Sequence, residues 1–140
     1  MSGDVPLPPA FLDTNVLVYL FDISDPVKRA KARAVVAGHQ CFVSPQVLGE
    51  FYVVVTRKLA TPLSPADAAA AVAGWPPTQV VPLTAALVTA AIATSQAHRL
   101  HYWDALVVEA AAEAGCPVLL TEDLADGSTL RGVRIANPFV

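Results

Sequence analysis

The chain has 140 residues, 54% of them hydrophobic and only 15% charged, with a formal net charge of −3. That balance excludes intrinsic disorder, and the length suits one domain, spanning 1–140, that buries about two-thirds of the surface its unfolded chain would expose. It also excludes a grip on nucleic acid through global positive charge, so such a partner must be held by local patches or metal ions.

Residues 1–9 form a Pro-rich lead, MSGDVPLPP, that lacks the basic-then-apolar form of a signal segment. No run approaches the roughly 18 apolar residues of a membrane helix, so the cytoplasm is the expected compartment and no membrane contact is expected. Residues 10–12 read as a short strand and 14–21 as a helix. Asp25-Pro26 caps and opens a second helix carrying Lys28, Arg29, Lys31 and Arg33, which Gly38 ends. A strand at 41–43 leads through Ser44-Pro45 into a helix to about residue 58. Ser64-Pro65 starts an Ala-rich helix closed by Gly74 and Pro76-Pro77. A strand over 79–81, a helix over 84–97, a helix over 102–114 ended by Gly115, and strands at 117–120 and 133–136 complete the series. Short apolar strands alternating with helices predict a mainly parallel sheet covered on both faces. Cys41 and Cys116 each open an apolar run and read as buried, reduced thiols.

In such sheets ligands bind beyond the carboxyl ends of the strands, which directs attention to acids standing there. Asp13 follows the first strand and Asp123 follows the fourth, each within a residue of a Thr; if the two strands are neighbours, both carboxylates emerge at one edge. Either acid alone is equally a cap or turn residue. Glu50 lies inside VLGEFYVVV, along the same stripe as Val47 and Val54, where a buried carboxylate needs a cation, a metal or a proton. The alternative is a Glu at the margin of that stripe, reaching water or pairing with Arg57 or Lys58. Asp104 opens an apolar helix behind Tyr102 and Trp103, as a first-turn acid or a screened site acid. Asp22, Glu122 and Asp126 are further acids near the same edge. His98 and His101 adjoin Asp104, but no Cys/His spacing suggests zinc. Gathered acids without a matching cluster of lysines call for a cation, and an all-oxygen donor set favours Mg²⁺ or Mn²⁺. No GxxxxGK[ST] or GxGxxG loop suggests a nucleotide cofactor.

Four segments, FLDTNVLVYLFD, VSPQVLGEFYVVVTRKL, RLHYWDALVVEAA and LLTEDL, together resemble the PIN-domain family, and within it the VapC-type toxin ribonucleases. The resemblance runs from about residue 10 to 137. It implies a three-layer α/β/α sandwich around a parallel sheet of about five strands. The implied activity is Mg²⁺- or Mn²⁺-dependent endoribonuclease cleavage of RNA. By position, Asp13, Glu50, Asp104 and Asp123 are the implied catalytic and metal-binding acids, with Thr14, Asn15, Ser44 and Thr121 supporting them. Glu122 or Asp126 could stand in for Asp123. A cognate antitoxin and a homodimer are the implied partners, and the apolar excess is compatible with a covered face. Lys28, Arg29, Lys31 and Arg33 either guide RNA or form a solvated helix face. A housekeeping RNA-processing nuclease shares the same signature. A haloacid-dehalogenase-type phosphatase would need a second acid at position 15, where Asn15 stands, and a receiver-like domain would need an acid pair after its first strand.

Overall fold

The computed structural model describes residues 5–140; the first four residues of the Pro-rich lead, and with them most of the expectation about a signal segment, lie outside that range. The sheet has the strand order β2-β1-β3-β5-β4, with β1 at Pro9–Leu12, β2 at Gln40–Phe42, β3 at Val118–Leu120, β4 at Thr129–Leu130 and β5 at Val133–Ala136. All neighbours are parallel except β4, which runs antiparallel to β5. The helices are α1 (Thr14–Tyr19), α2 (Pro26–Ala37), α3 (Pro45–Arg57), α4 (Pro65–Ala73), α5 (Ala85–His98) and α6 (Tyr102–Glu113). The expectation of a mainly parallel, PIN-like α/β sheet of about five strands is borne out.

The central strands are apolar on both faces because helices cover both. Ala10, Phe11 and Leu12 of β1 and Val118, Leu119 and Leu120 of β3 are all buried, the pattern of a doubly covered parallel sheet. Helix α6 runs against β1, β3 and β5 with α5 packed on it, while α1 packs on α2 and α3, and α3 on α4. Side-chain caps start most of these helices where the sequence placed them: Asp25, Ser44, Ser64 and Thr84 each accept an amide proton from the first turn. Gly115, at φ +71°, turns the chain out of α6 toward β3. Cys41 and Cys116 are free and buried, and burial pushes their thiols up to about 11 and about 12.

Three local expectations are corrected. The strand expected over 79–81 is a single bridge, Val43 to Val80, preceded by a 3-10 turn at Pro77–Gln79. Prolines clip it from both sides: Pro76-Pro77 curls the entry, and Pro82 lacks the N–H that would extend the ladder. The fifth strand is instead β4, joined to β5 by a two-residue turn in which Arg131 and Gly132 have φ of +54° and +76°. Both values are positive, as in a type I′ hairpin turn. Helix α1 stops at Tyr19 rather than residue 21.

Candidate functional site

Strands β1 and β3 pair in register, Leu12 opposite Leu120, so the chain leaves the sheet at Asp13 and Thr121 side by side. The Asp13 amide still donates to Leu120 O at 3.0 Å, which extends the ladder one residue into the site. Asp13 is the N-cap of α1: its Oδ1 accepts from the Thr14 amide at 2.7 Å. Its Oδ2 accepts from the hydroxyl of Thr121 at 2.8 Å. Only 7% of Asp13 is exposed. Burial pushes its carboxyl from the ordinary 3.8 up to about 6; the Thr121 and Thr14 hydrogen bonds pull it down, and the charges of Asp123 and Asp104 push it up.

Thr121, wholly buried, is the hub. Besides donating to Asp13, its Oγ1 accepts from the Asp123 amide at 3.0 Å and the Asn15 amide group at 3.3 Å. The same Asn15 Nδ2 donates to Asp123 Oδ2 at 2.9 Å, and Asn15 Oδ1 accepts from the Glu122 amide at 3.3 Å. The turn after β3 is thereby fixed to the first turn of α1, with the Asp123 carboxylate near Asp13.

Asp104, half-buried in the first turn of α6, completes the group. Burial raises its carboxyl, Asp123 and Glu50 raise it further, and His101 opposes them. Asp13, Asp104 and Asp123 therefore sense one another's charge across a small space. Among the described residues no lysine or arginine forms an ion pair with any of the three: Lys28, on α2, is committed to Glu122, and Arg131 to Glu109.

Glu50 is corrected in its setting. It is exposed, because the buried stripe of α3 is Val47–Phe51–Val55 and Glu50 lies beside it. It pairs with neither Arg57 nor Lys58. Instead, Oε2 accepts from the Thr14 hydroxyl and Oε1 from Gln46 Nε2, each at 2.9 Å. Thr14 thus joins Glu50 to the Asp13 turn. Ser44 is buried and caps α3 through the Val47 amide at 3.3 Å. It sets the start of the helix that carries Gln46 and Glu50.

The three candidates after β3 separate cleanly. Glu122 accepts from Tyr19 OH at 2.9 Å and from Lys28 Nζ at 3.0 Å, and Lys28 Nζ also donates to Tyr19 OH at 3.1 Å. Asp126 accepts from the Asn137 amide at 2.9 Å and ties down the C-terminal segment. Asp123 alone of the three is drawn to Asn15 and the other acids. Asp22 accepts from the amide and hydroxyl of Ser24 and reaches the rim of the same cleft. Of the other basic residues of α2, Arg29 Nε donates to Leu20 O and Lys31 Nζ to Phe139 O, and Arg33 is exposed. Gln46, Tyr19 and the Lys28–Glu122 pair were not singled out from sequence. Gln46 stands one helical turn before Glu50, a spacing that carries the signal.

A cleft of about 390 Å³ opens here, lined by Thr14, Asn15, Tyr19, Asp22, Glu50 and Asp123 among others. A larger one of about 660 Å³ lies beside Gln40, where β2 begins, and is lined by Val36, His39, Cys41 and Trp75 with no acid. The smaller cleft, which Glu50 and Asp123 line, is therefore the candidate site. Among the described residues no three His, Cys, Asp or Glu side chains already converge on one ion position. The donor set nevertheless fits a hard divalent cation: its ligands are oxygens, its charge is uncompensated, and each carboxylate keeps lone pairs beyond those used in the hydrogen bonds above.

A mainly parallel α/β sheet with acids from three elements at its carboxyl edge is the class that fold and site define. The PIN domain family model matches residues 10–125, and the chain belongs to the PIN-domain family. Among solved structures it is similar to a toxin–antitoxin complex from Klebsiella pneumoniae, at 19% identity and a TM-score of 0.71, covering 92% of this chain and 97% of that one. It is also similar to VapC20 of Mycobacterium tuberculosis, a sarcin–ricin-loop-cleaving toxin, at 20% identity and TM-score 0.62, covering 79% and 86%. The DNA-bound VapBC of Salmonella typhimurium is similar at 19% identity and TM-score 0.60, covering 94% and 99%. No curated protein sequence matches the chain.

Proposed function

We propose that the chain is a divalent-metal-dependent endoribonuclease and the toxin of a toxin–antitoxin pair. The observation that carries this is the gathering of Asp13, Asp104 and Asp123, with no lysine or arginine among the described residues paired to them, beside a cleft at the carboxyl edge of the sheet. PIN domains are nucleases, and the solved structures cited are toxins or toxin–antitoxin complexes. Asp13, Asp104 and Asp123 would hold Mg²⁺, or Mn²⁺ in its place, with Glu50 as a further ligand directly or through water. Bound there, the ion supplies charge neutralisation at the scissile phosphate and lowers the pKa of water in the site.

The chain's own residues do the positioning. Thr121 and the Thr14 amide orient Asp13, Asn15 orients Asp123, and Thr14 with Gln46 orients Glu50. Lys28 and Tyr19 hold Glu122 aside, so that the turn presents Asp123. The partners in this reading are an RNA substrate, a cognate antitoxin and a second copy of the chain. A membrane is not among them, and no described helix is long and apolar enough to cross one. A phosphatase of the Asp-nucleophile type is disfavoured because position 15 carries an amide whose two ends are spent on Asp123 and the Glu122 backbone.

Two measurements test the reading. Purified protein should cleave RNA with Mg²⁺ or Mn²⁺, lose the activity in EDTA, and lose it in the Asp13→Asn variant. Induced alone, the wild type should arrest bacterial growth and Asp13→Asn should not. No cleavage of any RNA by metal-loaded protein overturns the nuclease; cleavage without growth arrest overturns the toxin and leaves an RNA-processing nuclease.

A further inference from the structure

Trp103 is 56% exposed, a wasteful position for the side chain with the largest apolar surface. Among the described residues only one other aromatic, Tyr52 at 37%, is exposed at all comparably. The setting is rigid. Trp103 stands in the first turn of α6, whose next seven residues after Asp104, Ala105 to Ala111, are all buried. Its ring meets that of Tyr102 edge-on, centroids 4.9 Å apart and planes 74° apart, which braces it without covering it. Its neighbour in the chain is Asp104, so its Cα lies about 3.8 Å from that of a site acid. Roughly 100° of helical rotation separates the two side chains, so Trp103 stands on the helix face next to that of Asp104.

An RNA entering this site meets a protein of net charge −3 in which Lys28, bonded to Tyr19 at the cleft, is paired with Glu122. Phosphate contacts alone are a poor source of affinity here. Stacking of bases on an aromatic face is the other general means of holding a single strand, and it does not depend on charge. From this juxtaposition we infer that Trp103 is a stacking platform for an unpaired nucleobase adjacent to the scissile phosphate, and so a substrate-binding residue of the site. The inference rests on the nuclease reading above. A protein partner is the competing occupant. It is less favoured because the chain neighbours of Trp103 are the half-buried Tyr102 and the carboxylate of Asp104 rather than further exposed apolar side chains.

The test uses the full chain carrying Asp13→Asn, which keeps the RNA intact, and a fluorescein-labelled single-stranded RNA of about a dozen nucleotides. Fluorescence anisotropy should show Trp103→Ala binding this RNA about tenfold more weakly, with Trp103→Phe recovering most of the loss. When the bases are replaced one at a time by abasic ribose, one position should abolish the difference between Trp103 and Trp103→Ala. In the Asp13-containing enzyme, Trp103→Ala should raise KM with kcat nearly unchanged. Equal binding of intact RNA by both proteins overturns the platform. So does a Trp103→Ala loss that persists at every abasic position. A change in sedimentation of the protein alone, with RNA binding intact, overturns it in favour of a protein contact. If wild-type protein cleaves RNA and Trp103→Ala cleaves it with the same KM, only the platform fails; if the wild type neither binds nor cleaves RNA, the nuclease reading fails and takes the platform with it.

Discussion

Replacing Asp13 by Asn separates the two roles that its position allows. Its carboxyl rises from 3.8 to about 6 on folding, chiefly through burial. At about 1.4 kcal/mol per tenfold change, the ionised group costs the metal-free fold about 3 kcal/mol at neutral pH. The sign follows from proton binding: between pH 3.8 and about 6 the folded state holds the proton and the unfolded state has lost it. The stability present below pH 3.8 is therefore lost as pH rises through this window, and the loss is complete above it. Asn keeps the cap to the Thr14 amide, since Asn and Asp are equally good N-caps. It removes the acceptor used by the Thr121 hydroxyl, a loss of about 1 kcal/mol. In EDTA near neutral pH, Asp13→Asn should thus be more stable than the wild type by about 2 kcal/mol, a rise in Tm of roughly 6 °C for a chain of this size. At about pH 4 the order should reverse, with the variant about 0.5 kcal/mol less stable. Millimolar Mn²⁺ should stabilise the wild type by about 2.7 kcal/mol if it reaches a hundredfold excess over Kd, and the variant far less. Urea denaturation at the two pH values, with EDTA and with Mn²⁺, measures all of this. A variant less stable than the wild type at both pH values refutes the buried-charge reasoning, and equal stabilisation of both proteins by Mn²⁺ removes Asp13 from the ligand set.

Three other substitutions probe the surroundings. Glu50→Gln keeps an acceptor for Thr14 on an exposed residue, so stability should change by less than about 0.5 kcal/mol. RNA cleavage should nevertheless fall roughly tenfold; unaltered cleavage makes Glu50 peripheral. Lys28→Met and Glu122→Gln each release the turn that presents Asp123, so each should lower kcat several-fold, and the double variant should be no worse than either alone; additive losses would show that the pair does not act as a unit. Five residues beyond Asp104 on α6, buried Glu109 accepts from Thr94 at 3.0 Å and from Arg131 Nε at 3.1 Å, away from the acids. Arg131→Ala should destabilise the chain by about 1–2 kcal/mol, reduced from a fully buried pair because Arg131 is half exposed, while cleavage by folded protein stays unchanged; a loss of activity at constant stability would place this cluster in function.

The elements legible in the sequence were those whose signals are local. Apolar runs, most of them bounded by an Asp, Ser or Thr cap or by Gly, gave the positions of α2 through α6 and of the central strands, because capping and burial act within a few residues. The pairing of β1 with β3, on which the meeting of Asp13 and Thr121 depends, is a long-range event for which sequence offered only a matching form, acid beside Thr after a strand. Two failures have physical causes. β4 went unseen because its turn uses Arg-Gly rather than Asn-Gly, so a hairpin was built without the usual chemistry for positive φ at its first position. Glu50 was placed on the buried stripe because Val54 shares its face, yet the stripe follows Val47, Phe51 and Val55, and a one-position offset on a helix turns a side chain by 100°. The partners that orient the acids, Gln46, Tyr19 and Lys28, are ordinary residues on ordinary helices, and only the tertiary arrangement gives them a role.

The charge imbalance at the carboxyl edge is built into the core rather than decorated onto the surface. Asp13 lies between Leu12 and Val16, both wholly buried, and its hydrogen-bond donors are neutral. The basic side chains nearby are directed elsewhere: Lys28 holds Glu122, and His101 acts on Asp104 rather than Asp13. Relaxation cannot easily separate the acids, because Thr121 binds Asp13 and the Asp123 backbone at once, and Asn15 bridges Asp123 to the start of α1. The fold thus spends stability to hold carboxylates together, and the same bonds that prevent their escape preorganise them for a ligand of opposite charge. A cation that neutralises Asp13, Asp104 and Asp123 must stabilise the folded chain as it completes the site, because one set of contacts governs both. Occupancy of the site and resistance to unfolding should therefore rise together as the concentration of Mn²⁺ is raised, and fall together in every variant that removes one of these three carboxylates.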